Sequence, residues 1–190
     1  MHRLLAHRLL TAVLLLPLLL ARPGAASATD WTTDPETSKL EFVGEYMEDE
    51  LFGRFERFTP QIRFDRAELA GARFDVEIDL ASARTGDEEW DGYLAGAEFF
   101  NVEAGPKARY TAETFEARGE GFVALGTLEL RGIRKPVALE FSFEESADGA
   151  RLVGTADFNR LDFEVGLGEW EDPEMIGHPV RVETTLTLKR

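Results

Sequence analysis

Apolar and polar residues alternate with period two along nearly the whole chain from about Ser38 onward, with one short helical stretch between them. Leu40, Phe42, Gly44 and Tyr46 fall on one face and Lys39, Glu41 and Glu45 on the other, and Phe74, Val76, Ile78 and Leu80 repeat the arrangement against Arg73, Asp75, Glu77 and Asp79. The pattern predicts a curved sheet with a wet outside and a shared apolar inside. A first strand spans about Ser38 to Tyr46. After Glu48-Asp49-Glu50 the segment Phe52 to Phe64 carries Phe52, Phe55, Phe58, Ile62 and Phe64, and Pro60, which cannot donate to a ladder, is expected to mark a bend or bulge. Arg73 to Leu80 is the next strand. Thr85-Gly86-Asp87-Glu88 reads as a capping box with Thr85 as the cap, and Trp90, Leu94 and Ala97 follow at helical spacing, so a short helix is predicted over one end of the sheet.

Beyond Gly105-Pro106 hairpin follows hairpin. Strands are predicted at Lys107 to Ala117, Phe122 to Leu130, Val137 to Phe143 with Pro136 opening it, and Leu152 to Phe158. Turns fall at Arg118 to Gly121, Arg131-Gly132 and Asp148-Gly149. Phe163 to Pro179, rich in Gly and acid and containing Trp170, reads as a strand end plus a long loop, and Val180 to Leu188 as the last strand. Roughly eight or nine antiparallel strands can close into a barrel that is either filled by side chains or leaves room for one small ligand. A two-sheet sandwich satisfies the same alternation.

The first residues follow other rules. Arg3 and Arg8 precede an apolar run from Leu9 to Ala21, and Ala26-Ser27-Ala28 supplies the small-x-small pattern of a signal peptidase site. Residues 1–28 are read as a cleaved export signal, the run being short of the ~20 residues a membrane-spanning helix needs. Residues 29–190 then form one domain of ordinary size with no linker or repeat. The formal charge is −15, and it becomes −18 without the signal, which holds three arginines and no acid. A domain so acidic repels nucleic acid and anionic membrane surfaces.

Candidate chemistry is sparse. The chain has no Cys, which removes thiolate catalysis, thiolate metal sites and thioether haem attachment. His178 is the one histidine beyond the signal, too few for a multi-His metal site, and the flanks of Ser82, Ser142 and Ser146 lack the G-x-S-x-G context of a nucleophile. The acidic runs at Glu48-Asp49-Glu50, Asp87-Glu88-Glu89 and Glu169 to Glu174 lack the spacing of a calcium loop and read as solvated charge. Arg131, Arg134 and Lys135 cluster at one turn and read as a solvated hairpin tip.

Three ordered stretches resemble the YceI family. Gly53-Arg54-Phe55-Glu56-Arg57-Phe58 leading into Ile62-Arg63-Phe64-Asp65 is similar to the family's G-x-F-x-x-F and I-x-F-D. Val76-Glu77-Ile78-Asp79, with Ser82, Thr85, Leu94 and Glu98-Phe99-Phe100-Asn101, is similar to its second block. The third, Gly126-Thr127-Leu128-Glu129-Leu130-Arg131-Gly132-Ile133-Arg134-Lys135-Pro136-Val137, resembles G-x-L-x-L-x-G-V-x-K/R-P-V. Arg160-Leu161-Asp162-Phe163 also resembles the family's R-x-D-F, although Glu164 and Val165 replace the small residues that often follow.

The resemblance implies an all-β fold: an extended, lipocalin-like antiparallel barrel of about eight strands, with the short helix near its mouth. It further implies a periplasmic binding protein, not an enzyme, that holds an isoprenoid lipid or isoprenoid quinone as a non-covalent ligand. A homodimer is compatible with it. The expected ligand-binding residues are Phe42, Tyr46, Phe52, Phe55, Trp90, Leu94, Phe99, Phe100, Phe163 and Trp170, several of them in or beside non-strand segments where a portal is expected. The competing readings are a side-chain-filled barrel that partners a membrane redox protein or serves a stress response, and a hydrolase of small hydrophobic substrates.

Overall fold

A computed structural model of the chain describes residues 28–190. The export signal expected at 1–28 therefore lies, save for its last residue, outside the described residues. The strands are β1 (Thr29–Thr33), β2 (Lys39–Tyr46), β3 (Asp49–Phe55), β4 (Phe58–Phe64), β5 (Arg73–Asp79), β6 (Ala83–Arg84), β7 (Lys107–Arg118), β8 (Gly121–Leu130), β9 (Ile133–Glu145), β10 (Ala150–Asn159) and β11 (Pro179–Lys189), with one helix, α1 (Glu88–Ala95). None of the described helical segments is long and apolar enough to cross a membrane.

β1 and β2 are successive pieces of one wall strand, and β3 and β4 of the next, because β1 pairs with β4 and β2 with β3. The wall continues β4-β5-β7-β8-β9-β10-β11, and β11 closes it against both pieces of the first strand, with Leu188 opposite Thr33 and Thr184 opposite Leu40. The result is a closed antiparallel barrel of eight wall strands, which settles the choice against a sandwich and removes the long free edges that invite aggregation. β1, absent from the expected elements, supplies the closure.

Several local expectations are corrected by the backbone. Pro60 stays in register opposite Val76, and the bend falls earlier, at Glu56-Arg57 between β3 and β4. There the Arg57 amide donates to Ser82 Oγ at 3.0 Å, and that hydroxyl donates in turn to the Asp79 carbonyl at 2.6 Å. The cap of α1 is Asp87, whose carboxylate accepts from the Glu89 and Trp90 amides at 2.8 and 3.2 Å, while the Thr85 hydroxyl bonds Asp91 instead. Acids in the first turn complement the helix dipole. Phe163 to Pro179 opens on no strand end, since β10 has already stopped at Asn159, Arg160–Phe163 and Gly168–Trp170 are 3-10 turns, and β11 begins at Pro179. β9 starts at Ile133, so Pro136 lies within it, opposite Thr127. The Arg131-Gly132 turn has positive φ at both residues, 53° and 76°, as a tight two-residue hairpin requires.

Cross-strand ion pairs cover the outer face. The Asp75 carboxylate takes Arg109 in a two-bond contact at 2.7 and 2.6 Å, and these bonds hold its pKa below the ordinary carboxylate value. A carboxylate depressed in the folded state contributes stability that is present above its unfolded pKa near ~3.9 and is lost as pH falls through the folded value. Urea unfolding at a series of pH values is expected to show stability dropping below about pH 4. Asp75→Asn, less stable at pH 7, should show a shallower drop.

Candidate functional site

The inward side chains form two clusters with different characters. At the end of the barrel formed by β1, β4 and the far ends of β7 to β9, Phe64, Phe74, Phe115, Phe122, Phe141 and Phe143 pack on one another with Trp31. Phe64 is fully buried, with ring centroids 4.8–6.0 Å from all five other phenylalanines. Such edge-to-face and tilted contacts fill space without a void. This end is an aromatic plug.

The other end holds a cavity of about 180 Å³. Its wall comes from nearly every strand, including Leu40, Phe55, Ile78, Leu128, Val137 and Val182. Few of the side chains bordering it are polar. Glu45 sits exposed at the rim, and the other three spend their polar atoms on the backbone. The Tyr110 hydroxyl lies 3.2 Å from the carbonyls of both Ala124 and Val137, and burial raises its pKa well above the ordinary phenol value. The Thr184 hydroxyl donates to the Lys39 carbonyl at 3.3 Å. Arg160 is directed away into the adjoining loop. The cavity surface is in effect hydrocarbon.

Two glycines of the resemblance motifs have a physical reason here. A Cβ on Gly126 would lie 2.2 Å from the Tyr110 ring, and one on Gly53 would lie 2.1 Å from the Phe42 ring, so each aromatic ring rests directly on the backbone of the next strand. Gly126→Ala is expected to destabilise by about 1–3 kcal/mol through overpacking. Chemical denaturation of the variant measures this, and Gly126→Ala combined with Tyr110→Leu should recover part of the loss.

Of the ten candidate residues, Phe42, Phe55, Leu94, Phe99 and Phe100 line the cavity. Tyr46, Trp90 and Trp170 form an outer layer above it: Tyr46 packs on Trp90 at 4.8 Å, and Trp170 lies 6.2 Å from Trp90 and 5.6 Å from Phe99. Phe163 is fully buried beside Phe158, at 5.3 Å. Phe52 is corrected: it points outward and is 58% exposed, because Leu51, Gly53 and Phe55 take the inward positions of β3. Tyr110, Phe58 and Phe158 also line the cavity. Period-two counting from Ala108 places Tyr110 inward, so its signal was present in the sequence.

The outer layer is a lid rather than an open mouth, and it is stitched from several segments. Arg160, 3% exposed, donates all five of its N–H groups to backbone carbonyls of one loop: Gly177, Val165, Gly166, Trp170 and Ile176, at 2.6–3.0 Å. Burial lowers its pKa. Trp170 Nε1 donates to the Glu98 carboxylate at 2.6 Å, and the Gly166 amide to the Glu98 carbonyl at 2.7 Å. Arg131 donates to the carbonyls of Ala97 and Phe99. Part of the expected solvated hairpin tip is thus a clip between the β8–β9 turn and the lid, whereas Arg134 pairs with Glu129 at 2.8 Å.

His178 lies outside the cavity wall, its Nε2 3.0 Å from the Glu171 carbonyl. Among the described residues no three His, Asp or Glu side chains converge as a metal site.

Comparison with known proteins agrees with this architecture. The model of the YceI-like domain matches residues 31–188, essentially the whole barrel. A UPF0312 protein of Serratia proteamaculans is 32% identical over 125 residues, 64% of this chain and 65% of its own length, so the match spans just under two thirds of that relative. A UPF0312 protein of Shewanella baltica is 30% identical over 157 residues, covering 76% of this chain and 81% of its own. Among solved structures, Burkholderia cenocepacia BcnA superposes with a TM-score of 0.79 at 26% identity, over 82% of this chain and 99% of that one. A polyisoprenoid-binding domain from Saccharophagus degradans, described as implicated in plant cell wall breakdown, shares the fold with a TM-score of 0.64 at 20% identity, over 84% and 97% of the two chains. With nearly all of its barrel, its helix-bearing lid and its ordered motifs within the matched residues, the chain belongs to the YceI-like family.

Proposed function

We propose that this chain is a periplasmic binding protein that holds the tail of an isoprenoid lipid, with a neutral quinone-like head, as a carrier, store or scavenger. The observation that carries this reading is a cavity whose bordering polar side chains are exposed at its rim or already bonded to the backbone. An interior of this kind rewards hydrocarbon: burying each methylene-sized group gains roughly 0.8 kcal/mol, so one five-carbon unit contributes roughly 4 kcal/mol before the costs of association. The excess of 36 acids over 21 bases disfavours a pyrophosphate head. The polyisoprenoid-binding relative of the same fold supports the same class of ligand.

The test uses the tryptophans already in place. A quinone bearing a two-unit isoprenoid tail is expected to quench the tryptophan fluorescence saturably, and at about a hundred times its Kd to raise Tm by roughly 5–10 °C. The tailless quinone should do neither. Equal effects from both, or none from either, would rule the reading out. The aromatic plug is the one feature that favours the rival, a filled barrel acting through its surface, and that rival predicts no saturable binding.

A further inference from the structure

The barrel wall parts in two places. β9 and β10 stop pairing beyond Glu140–Thr155, and that opening is stoppered from within: the Arg160–Phe163 turn lies against β9 and the fully buried Phe163 packs on Phe158. The second gap lies between the first two wall strands. β1 pairs with β4 as far as Trp31–Ile62, β2 pairs with β3 only from Glu41–Arg54, and the stretches between them separate. The first strand is drawn across to β11 instead. The Asp34 amide donates to the Thr187 carbonyl at 2.8 Å, the Thr187 amide to Ser38 Oγ at 3.1 Å, and Lys189 Nζ to the Asp34 carboxylate at 2.6 Å.

Outside this gap lies a groove of about 990 Å³. Phe58, Pro60 and Ile62 border both the groove and the inner cavity, so one layer of side chains separates inside from outside there. Pro60 has no amide hydrogen that a missing ladder partner would leave unbonded. The groove's charges are largely neutralised in place, Arg57 by Asp79, Arg63 by Asp30 and Lys107 by Glu77. What remains to recognise a ligand is neutral: the exposed Gln61, and the Thr33 hydroxyl, whose oxygen is buried and lacks a hydrogen-bond partner among the described residues. A buried hydroxyl without a partner is costly, and a small shift that opens it to the groove would let a ligand's hydrogen-bonding group satisfy it.

Size and access agree. A cavity of about 180 Å³ is on the scale that admits a benzene-sized guest. It cannot contain a ring-bearing head together with a tail of several units. One barrel end is filled by the plug, and the other is covered by segments that Arg160, Arg131 and the Trp170–Glu98 bond tie together, with Glu45 exposed at its rim. We infer that the gap beside Pro60 is a lateral portal: the isoprenoid tail passes over Pro60 into the cavity while its neutral, hydrogen-bonding head stays in the outer groove beside Thr33. This rests on the binding function proposed above.

The absence of native cysteine makes a footprint possible. Thr59→Cys places a thiol in the groove, and Met47→Cys places one at the lid, where Met47 is 54% exposed and its amide donates to the Met175 carbonyl. Each full-length variant is alkylated with iodoacetamide, with and without the two-unit isoprenoid quinone, and Tm is read in parallel. The portal predicts alkylation slowed about tenfold at Thr59→Cys when roughly nine-tenths of sites are occupied, and unchanged at Met47→Cys. Protection at Met47→Cys, alone or with Thr59→Cys, overturns it, as does protection at neither site while Tm rises, and in both cases binding itself stands. If the quinone neither protects nor raises Tm, the binding function fails and the portal with it.

Discussion

Replacing Arg160 by Leu is expected to cost about 3–5 kcal/mol of stability and to free the loop that follows β10. The guanidinium bonds five backbone carbonyls spanning Val165 to Gly177 and no carboxylate, so its charge is compensated mainly by carbonyl dipoles, with the Glu171 charge acting from further off. Each buried carbonyl left without a donor costs ~1–3 kcal/mol, moderated where water can enter from the lid surface. Arg160→Lys is informative beside it. An ammonium carries three donors on a flexible stem in place of five in a rigid fork, so at least two carbonyls go unmet and about half the loss should remain. Urea denaturation gives the size of the effect. Hydrogen exchange gives its place, since faster exchange at Gly166, Ile176 and Gly177 with little change in β7 or β8 is the result a loop organiser predicts.

Phe64→Ala is expected to be equally damaging, at about 3–5 kcal/mol, but in a different part of the molecule. Its ring sits at the centre of five others, and removal leaves a void that rigid aromatic neighbours on four different strands cannot readily collapse into. The plug has a second consequence. Because it terminates the cavity, opening it should lengthen the space available to a tail, so the affinity of Phe64→Ala for a long-tailed quinone should fall less than its stability does. Phe64→Leu, which keeps more volume, should cost less and leave the cavity's end in place.

An antiparallel sheet with an apolar inside was legible in the alternation and its closure into a barrel only through the family resemblance, whereas the closed lid and divided interior were legible in neither. The parity of β2 and β5 is read correctly from Leu40 to Tyr46 and from Phe74 to Leu80 because neither strand contains an irregularity. Phe52 was misplaced because the bend at Glu56-Arg57 resets the phase: Phe55 and Phe58 both point inward although they are three residues apart. Counting backward from Phe58 therefore puts Phe52 inside, whereas counting from Phe55 puts it outside. A similar reset follows the bulge at Glu113, beyond which Phe115 rather than Thr114 is buried.

Phe64 and Phe55 look alike in sequence, yet one packs in the plug and the other lines the cavity. Their difference depends on how the closed wall brings β1, β7, β8 and β9 around each end, which is a tertiary property. Arg160 carried a motif but no sign of its role, since an arginine without a nearby acid is ordinarily a surface residue. Tyr46, Trp90 and Trp170 stand out in the sequence because aromatic residues in or beside non-strand segments mark the end of a barrel, and the structure places them in the lid. The bend at Glu56-Arg57 was signalled only by Pro60, a proline within a strand pattern, which predicted an irregularity and placed it a few residues too late.

Organic extraction of the protein purified from its native host, followed by mass spectrometry, bears most directly on the hydrocarbon interior. Recovery of an isoprenoid lipid in near-stoichiometric amount from the wild type, and loss of that lipid when Val137 and Leu128 at the cavity wall are replaced by Trp to fill it, is the predicted result. Extraction of no lipid, or of the same lipid in undiminished amount from the filled variant, would contradict it.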